Sequence, residues 1–180
     1  MFNIYNKSLF DIPAKSLVNT INCGGIMGAG VALEFKKRYP KMFLDYKEKC
    51  EKHLIRPGDC YTFFDVENKI YLLGLAVKED WRHWSTLEWI ESSIKSLKLV
   101  LLENDIQSVN LPLPGGKNGR RGPYGPVSGF NLPPERPELK LLVEKELKSF
   151  SDKFNIKINL CVPDELVVVK KEQFTLDKFI

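Results

Sequence analysis

Residues 17–38 read Leu-Val-Asn-Thr-Ile-Asn-Cys-Gly-Gly-Ile-Met-Gly-Ala-Gly-Val-Ala-Leu-Glu-Phe-Lys-Lys-Arg, and this stretch decides the fold. Its first six residues are rich in β-branched side chains and predict a short buried strand that ends at Asn22. Four glycines follow within seven residues, and Val31 to Arg38 has the apolar spacing of an amphipathic helix. A glycine-rich loop between a strand and a helix N-terminus is typical of phosphate-binding sites, because free backbone amides and the helix dipole both favour an anion.

The glycine spacing narrows the class of site. It matches neither the dinucleotide pattern Gly-x-Gly-x-x-Gly nor a Walker A loop, which ends in Gly-Lys-Ser/Thr. The residues therefore do not predict a standard dinucleotide fold or an NTPase. On these local features alone, a glycine-rich turn without a ligand remains the alternative.

Composition and charge bound the remaining possibilities. A chain of 180 residues with 43% hydrophobic and 28% charged residues is predicted to be one soluble domain with a sizeable core. No apolar run approaches the roughly 20 residues that a membrane span needs, and the N-terminus lacks a signal peptide's apolar region, so we expect a cytoplasmic protein without membrane contact. The four cysteines have no metal-ligand spacing, and we predict no metal site. The net charge of +4 is compatible with an anionic ligand or nucleic acid.

The segment from Val18 to Pro40 resembles the signature of macrodomains, and is closest to the branch of DNA ADP-ribosyl glycohydrolase antitoxins and terminal ADP-ribose glycohydrolases. Later segments extend the resemblance from about residue 2 to about residue 163. It implies ADP-ribose as ligand or product, no other cofactor, and ribose orientation by Asn22. It also implies ligand contacts from Asn19 and the glycine loop, namely Cys23, Gly24, Gly25, Ile26, Met27, Gly28, Ala29, Gly30 and Val31.

Lys78 ends the apolar run Ile70–Val77, which reads as a strand buried on both faces. A single lysine in a loop is usually a surface residue. In the related glycohydrolases, however, a lysine at this place before Trp-Arg and a Ser/Thr-Leu-Glu-x-Ile helix start is catalytic, and Lys78 matches it. Lys78 could attack the anomeric carbon if its pKa were lowered, or stabilise the departing group as an ammonium.

A second glycine loop follows the predicted strand Gln107–Leu113, and its glycines and cations make it a candidate pyrophosphate cradle. Relatives carry Gly-Cys-Gly-Asn-Gly-Gly-Leu or a version with a catalytic aspartate here, and the lack of that acid favours the DNA-directed branch. Lys117 and Arg120 depart from the pattern and could strengthen phosphate contact or occlude the distal ribose. The candidate ligand residues are Pro114, Gly115, Gly116, Lys117, Asn118, Gly119 and Arg120.

Adenine recognition is the least complete part of the resemblance. The family usually places an aspartate just before the first buried strand, where this chain has Ala14-Lys15-Ser16. Asp11 stands nearby and is retained as a candidate.

Alternating strands and helices predict an α/β fold, a three-layer α/β/α sandwich with a mixed, mostly parallel sheet. The macrodomain is predicted to span residues 1–163, with 164–180 as a C-terminal extension that packs on the domain or a partner. Ser85 is predicted to cap a helix running to Glu103, with Glu88 completing a capping box. A further amphipathic helix is predicted over Glu138–Phe150.

The leading hypothesis is a monomeric ADP-ribosyl glycohydrolase that releases ADP-ribose from an acceptor, with a DNA base favoured over a protein side chain. Two alternatives stay open. One is a non-catalytic module that sequesters ADP-ribose or a related nucleotide, and the other is a phosphatase acting on ADP-ribose 1″-phosphate.

Overall fold

The computed structural model describes residues 1–82, 84–115 and 137–162. The predictions for Gly116–Arg120, for the boundary at residue 163 and for residues 164–180 lie outside these ranges. In the described ranges the chain forms strands β1 Phe2–Tyr5, β2 Ser16–Asn22, β3 Cys60–Asp65, β4 Ile70–Lys78, β5 Ser108–Pro112 and β6 Lys157–Cys161. The helices are α1 Gly30–Arg38, α2 Pro40–Glu51, α3 Leu87–Glu103 and α4 Pro137–Phe154, and a 3-10 turn covers Leu9–Asp11.

The six described strands form one sheet in the order β1-β6-β5-β2-β4-β3. Every neighbouring pair is parallel except β3 and β4, which are antiparallel. The predicted mixed, mostly parallel sheet is therefore confirmed. The carboxyl ends of β1, β2, β4, β5 and β6 lie at one edge of the sheet, where open α/β folds bind ligands.

An apolar core lies on each face of the sheet, between the sheet and the helices that cover that face. The predicted three-layer α/β/α sandwich is therefore confirmed. One core joins buried side chains of α3 and α4 to one face of the sheet, and includes Ile90, Ile94, Leu97, Leu101, Leu139, Val143, Leu147 and Phe150. The other joins α1, α2 and the 3-10 turn to the opposite face through Leu9, Phe35, Met42, Tyr46 and Cys50. Both predicted helices are present: α3 ends at Glu103 as predicted, and α4 extends beyond the predicted Glu138–Phe150 at both ends.

The predicted cap of α3 is wrong by one residue. Thr86 is the N-cap, and its hydroxyl accepts a hydrogen bond from the Trp89 amide at 3.1 Å. Ser85 is buried instead of capping the helix. Ser and Thr are both good caps, so the sequence alone does not select between adjacent ones; the burial of Ser85 does.

An asparagine ladder crosses three neighbouring strands. Asn3 of β1, Asn159 of β6 and Asn110 of β5 lie at paired positions, and Asn3 Nδ2 donates to Asn159 Oδ1 at 3.0 Å while Asn159 Nδ2 donates to Asn110 Oδ1 at 2.7 Å. Asn110 Nδ2 then donates to the carbonyls of Leu9 and Ile12 at 2.9 and 2.5 Å. The ladder thus anchors the 3-10 turn that carries Asp11 to the centre of the sheet.

A search of the described residues for a helix long and apolar enough to cross a membrane finds none.

Candidate functional site

The candidate site lies where β2 and β4 end side by side. Their registers agree from Ser16 to Ile21 and then shift, so that Asn22 pairs with Lys78. Such an irregularity re-aims side chains at a strand end. On the other side of β2, pairing with β5 stops at Leu17–Asn110, although β5 stays paired with β6 as far as Pro112. Backbone pairing between β2 and β5 therefore ends well before the carboxyl edge, as at a ligand-binding crevice.

Asn22 organises the glycine loop that follows it. Its Oδ1 accepts hydrogen bonds from the amides of Gly24 at 3.0 Å and Ile26 at 3.3 Å, and its Nδ2 donates to the Ile26 carbonyl at 2.7 Å. The side chain thus satisfies three backbone groups of a loop that has few other partners of its own. Ribose orientation by Asn22 stays a prediction, while loop positioning is what its contacts do here.

Tyr46 of α2 stabilises the junction between β2 and the glycine loop. Its buried hydroxyl donates to the Asn22 carbonyl at 2.5 Å, and the Cys50 thiol lies 3.9 Å from the same oxygen. The sequence contains no signal for this role, because the spacing of Tyr46 in α2 is equally that of a core residue.

Buried and exposed residues alternate in the first half of the glycine loop, and the second half is exposed. Gly25 and Met27 are buried, and Gly25 has a φ of 75°, a conformation that favours glycine. Gly24, Ile26, Gly28, Ala29 and Gly30 are exposed. No described side chain caps α1, and its first turn contains no acidic residue. Its first amides are therefore suited to an anion.

Lys78 is buried at the end of β4, with 9% of its surface exposed. Burial disfavours the ammonium and lowers the pKa of Lys78 below its ordinary value of 10.5. Lys78 is therefore not a solvent-exposed surface residue, as a single lysine in a loop usually is. A buried lysine with a lowered pKa at the carboxyl edge of a sheet is a functional candidate.

The turn from Lys78 to Arg82 is bonded to the glycine loop. The Cys23 amide donates to the carbonyls of Lys78 and Glu79 at 3.0 and 2.9 Å. Asp80 accepts from the Arg82 amide at 2.9 Å and holds the guanidinium through Nε at 2.8 Å and Nη2 at 3.1 Å. The two loops therefore form one connected unit around Lys78. The sequence marks Asp80 only as an acidic residue before Trp-Arg.

Cys23 lies within this unit, where burial favours the neutral thiol. Burial is the main cause that raises its pKa to about 12, with Cys50, Asp59 and Glu79 adding to the shift. Since the thiolate is the reactive form, Cys23 at neutral pH acts through its backbone amide. Among the described residues no cluster of three His, Cys, Asp or Glu side chains could hold a metal ion.

Asn19 and Asp11 lie toward the same side of the sheet as α1. Asn19 is fully buried, its Nδ2 contacts Met27 Sδ at 3.7 Å, and its Oδ1 has no hydrogen-bond partner in the described part of the chain. Asp11 is exposed at the end of the 3-10 turn, where Phe10 packs on Phe35 of α1 with ring centroids 5.1 Å apart. Both candidates thus adjoin the glycine loop or the helix that follows it.

Only the start of the second loop can be placed. Pro114 is buried, and Gly115 has a φ of 74°. A Cβ on Gly115 would lie 2.6 Å from Ile90 Cδ1 and 3.1 Å from Leu139 Cδ2. Close packing between the loop and two helices therefore requires this glycine, and a pyrophosphate contact stays a prediction. Gly116, Lys117, Asn118, Gly119 and Arg120 lie outside the described residues.

The basic residues Lys36, Lys37 and Arg38 lie on the solvent-exposed surface of α1. Lys37 and Arg38 both pair with Glu34, at 3.3 and 3.6 Å. Lys36 stacks over the ring of Phe43, 4.4 Å from its centroid. Glu34 therefore pairs with two of the three cations, and the third packs on an aromatic ring.

The resemblance to macrodomains implies ADP-ribose as the ligand, and we expect Tyr46→Phe to weaken its binding. The change leaves the buried Asn22 carbonyl without its hydroxyl donor, a loss of about 1–3 kcal/mol that falls on the loop junction. Calorimetric titration with ADP-ribose and urea unfolding measure the two effects. Tyr61→Phe is the matched control, because the Tyr61 hydroxyl bonds Asp45 Oδ2 at 2.7 Å and the Met42 carbonyl at 3.2 Å, neither of which belongs to the loop junction. Equal affinity loss in both variants would contradict the positioning role of Tyr46.

The lowered pKa of Lys78 also predicts how stability depends on pH. Between the lowered pKa and 10.5 the unfolded chain binds more protons than the folded one, so the free energy of unfolding rises with pH in that window. Lys78→Met removes this contribution. Wild type should therefore gain stability relative to the variant as the pH rises toward 10.5, measured by urea unfolding at a series of pH values. A constant difference would show that burial does not shift this group.

Comparisons with known proteins identify the family and the fold. The family model described as Macro domain matches residues 18–117, more than half of the chain. A DNA ADP-ribosyl glycohydrolase of Thermus aquaticus is 32% identical over 121 residues, which are 66% of this chain and 34% of that protein. A protein of the same name from Mycobacterium tuberculosis is 36% identical over 121 residues, with the same coverage. The chain thus spans about a third of the length of these relatives. The macrodomain of Mycobacterium tuberculosis DarG matches with a TM-score of 0.73 and 28% identity, covering 91% of this chain and 97% of that one.

Proposed function

The chain belongs to the Macro domain family, and from that premise we propose that it binds ADP-ribose and hydrolyses the bond between ADP-ribose and its acceptor. The observation that carries the proposal is Lys78, buried at the carboxyl edge and bonded through its backbone to the glycine loop. The acceptor we propose is a nucleobase in DNA. This choice is supported by similarity to proteins named DNA ADP-ribosyl glycohydrolase.

The glycine loop and α1 supply the anion site. The exposed backbone of Gly28–Gly30 and the uncapped N-terminus of α1 are suited to a pyrophosphate. Asn22 and Tyr46 fix the loop so that its amides need not reorganise when the ligand binds. The start of the second loop, Pro114 and Gly115, follows β5 at the same edge of the sheet, and we propose that the amides of residues 115–119 bind the pyrophosphate.

Lys78 supplies the chemistry. Its burial increases the neutral fraction of the amine, which is the nucleophilic form. The Nζ lone pair attacks the anomeric carbon of the distal ribose, the bond to the acceptor breaks, and the acceptor leaves with the proton that Nζ loses. Water then cleaves the new carbon–nitrogen bond, which releases ADP-ribose and restores the lysine.

Turnover measured beside binding tests the proposal. Purified full chain is incubated with ADP-ribosylated single-stranded DNA and with an ADP-ribosylated protein, and free ADP-ribose is quantified by chromatography. Calorimetry gives the affinity for ADP-ribose in parallel. We expect release from DNA to exceed release from protein.

Other outcomes select the alternatives. Tight ADP-ribose binding without turnover of either substrate would make the protein a sequestering module. Phosphate release from ADP-ribose 1″-phosphate, with no release from DNA or protein, would make it a phosphatase. A rate that falls as pH rises through the pKa of Lys78 would replace the nucleophilic amine with an ammonium that stabilises the departing group.

A further inference from the structure

Two large aromatic side chains close in sequence to Lys78 are exposed. Trp81 has 51% and Trp84 38% of its surface exposed, and both belong to the segment that follows Lys78. Trp is usually mostly buried in a folded protein. His83, between them, lies outside the described residues. The exposed pair, Trp81 and Trp84, is here termed the aromatic platform.

The exposure of Trp81 is not explained by a loose segment. Its neighbours Asp80 and Arg82 are joined by three hydrogen bonds between 2.8 and 3.1 Å. The carbonyls of Lys78 and Glu79 are bonded to Cys23 of the glycine loop. The hydrogen-bonded turn therefore keeps the Trp81 side chain exposed, three residues after Lys78. Exposing this apolar surface to water is unfavourable.

The chemistry of the platform favours planar ligands. An indole stacks on any nucleobase, because every base has a π-face, and such stacking tolerates sequence variation. The Arg82 guanidinium, which is paired with Asp80, lies over the Trp81 ring at 5.9 Å from its centre. The chain's net charge of +4 also favours a polyanion.

We propose that the aromatic platform stacks the bases that flank the modified nucleotide of a single-stranded nucleic acid. The inference rests on the proposed function and deepens it, because it places the acceptor strand on the Trp81 side of Lys78. The glycine loop then holds ADP-ribose, and the platform, which begins in the turn bonded to that loop, holds the flanking bases of the acceptor strand. The platform only binds the strand and takes no part in the covalent chemistry.

The test measures binding in the Lys78→Ala background, where substrate is not consumed. Fluorescence anisotropy compares an ADP-ribosylated single-stranded oligonucleotide with free ADP-ribose, for variants carrying Trp81→Ala or Trp81→Phe. We expect Trp81→Ala to weaken oligonucleotide binding about 10-fold, the effect of one lost stacking contact. Trp81→Phe should restore most of it, and the affinity for ADP-ribose should change in neither variant.

Phe64→Ala is the matched control. Phe64 is also exposed, but it lies near the end of β3 that pairs with the start of β4, and hence at the edge of the sheet away from Lys78. The Phe64→Ala variant in the Lys78→Ala background should bind the oligonucleotide with the same affinity as the Lys78→Ala parent.

Three results would overturn the inference. The first is an unchanged affinity of Trp81→Ala for the oligonucleotide. The second is a loss of affinity for free ADP-ribose equal to the loss for the oligonucleotide. The third is an equal loss of affinity for an ADP-ribosylated peptide, a result that would assign the platform to protein acceptors. Failure of the proposed function is distinguishable, because it appears as absent turnover by wild type whatever the effect of Trp81→Ala on binding.

Discussion

Lys78→Ala should lower the turnover of an ADP-ribosylated substrate by at least about 10³-fold, the scale of losing a covalent nucleophile. ADP-ribose binding should persist, because the loop is held by Asn22 and by the backbone of the Lys78 turn, which alanine keeps. The measurement is single-turnover release of ADP-ribose with enzyme in excess, so that slow product release does not mask the chemical step.

Two further variants separate the roles that a lysine could have. Lys78→Arg keeps a cation but stays protonated at any accessible pH, so it cannot attack. It should be as inactive as Lys78→Ala if the neutral amine is the nucleophile, and should retain measurable activity if the charge stabilises the departing group. Lys157→Ala is the control, since Lys157 is exposed at the first residue of β6, at the opposite edge of the sheet. Full activity in Lys78→Ala, with ADP-ribose bound normally, would remove the lysine from the mechanism.

The strand, glycine loop and helix around Asn22 could be predicted from sequence because each depends on local chemistry. β-branched residues, clustered glycines and a helical apolar period act within a few residues of themselves. The position of Lys78 was likewise predictable, since a continuous apolar run reads as a doubly buried strand and Lys78 ends it. The resemblance to macrodomains gave these local patterns a common site.

Features that depend on register could not be predicted. The shift that pairs Asn22 with Lys78 involves residues more than fifty positions apart, and no local signal encodes it. The same holds for the hydroxyl of Tyr46, which reaches the Asn22 carbonyl only because α2 packs under the loop. Asp80 is similar, because its role as a clamp for Arg82 requires the turn to be formed. In each case the partner is fixed by tertiary packing, which overrides local propensity.

Asn159→Leu should destabilise the fold by about 3–5 kcal/mol, a large part of the roughly 5–15 kcal/mol that holds a domain together. Asn159 is fully buried in β6, and its amide bonds both Asn3 and Asn110. Leucine removes both hydrogen bonds and leaves the buried Asn110 Oδ1 without its donor, which costs more than the bond itself contributes. Urea unfolding followed by circular dichroism measures the loss.

A double-mutant cycle with Asn110 tests whether the ladder acts as a unit. Asn110→Leu alone should also be costly, because it releases the Leu9 and Ile12 carbonyls that hold the Asp11 turn. Once Asn159 is leucine, the second change no longer breaks a bond between the two amides, so the double variant should be more stable than the sum of the single losses predicts. Asn3→Ala, at the half-buried end of the ladder, should cost only about 1 kcal/mol. Additive losses, or a wild-type midpoint for Asn159→Leu, would mean that the three amides do not stabilise the sheet together. A weakened ADP-ribose affinity in Asn110→Leu at temperatures where it is folded would connect the ladder, through the Asp11 turn, to the ligand site.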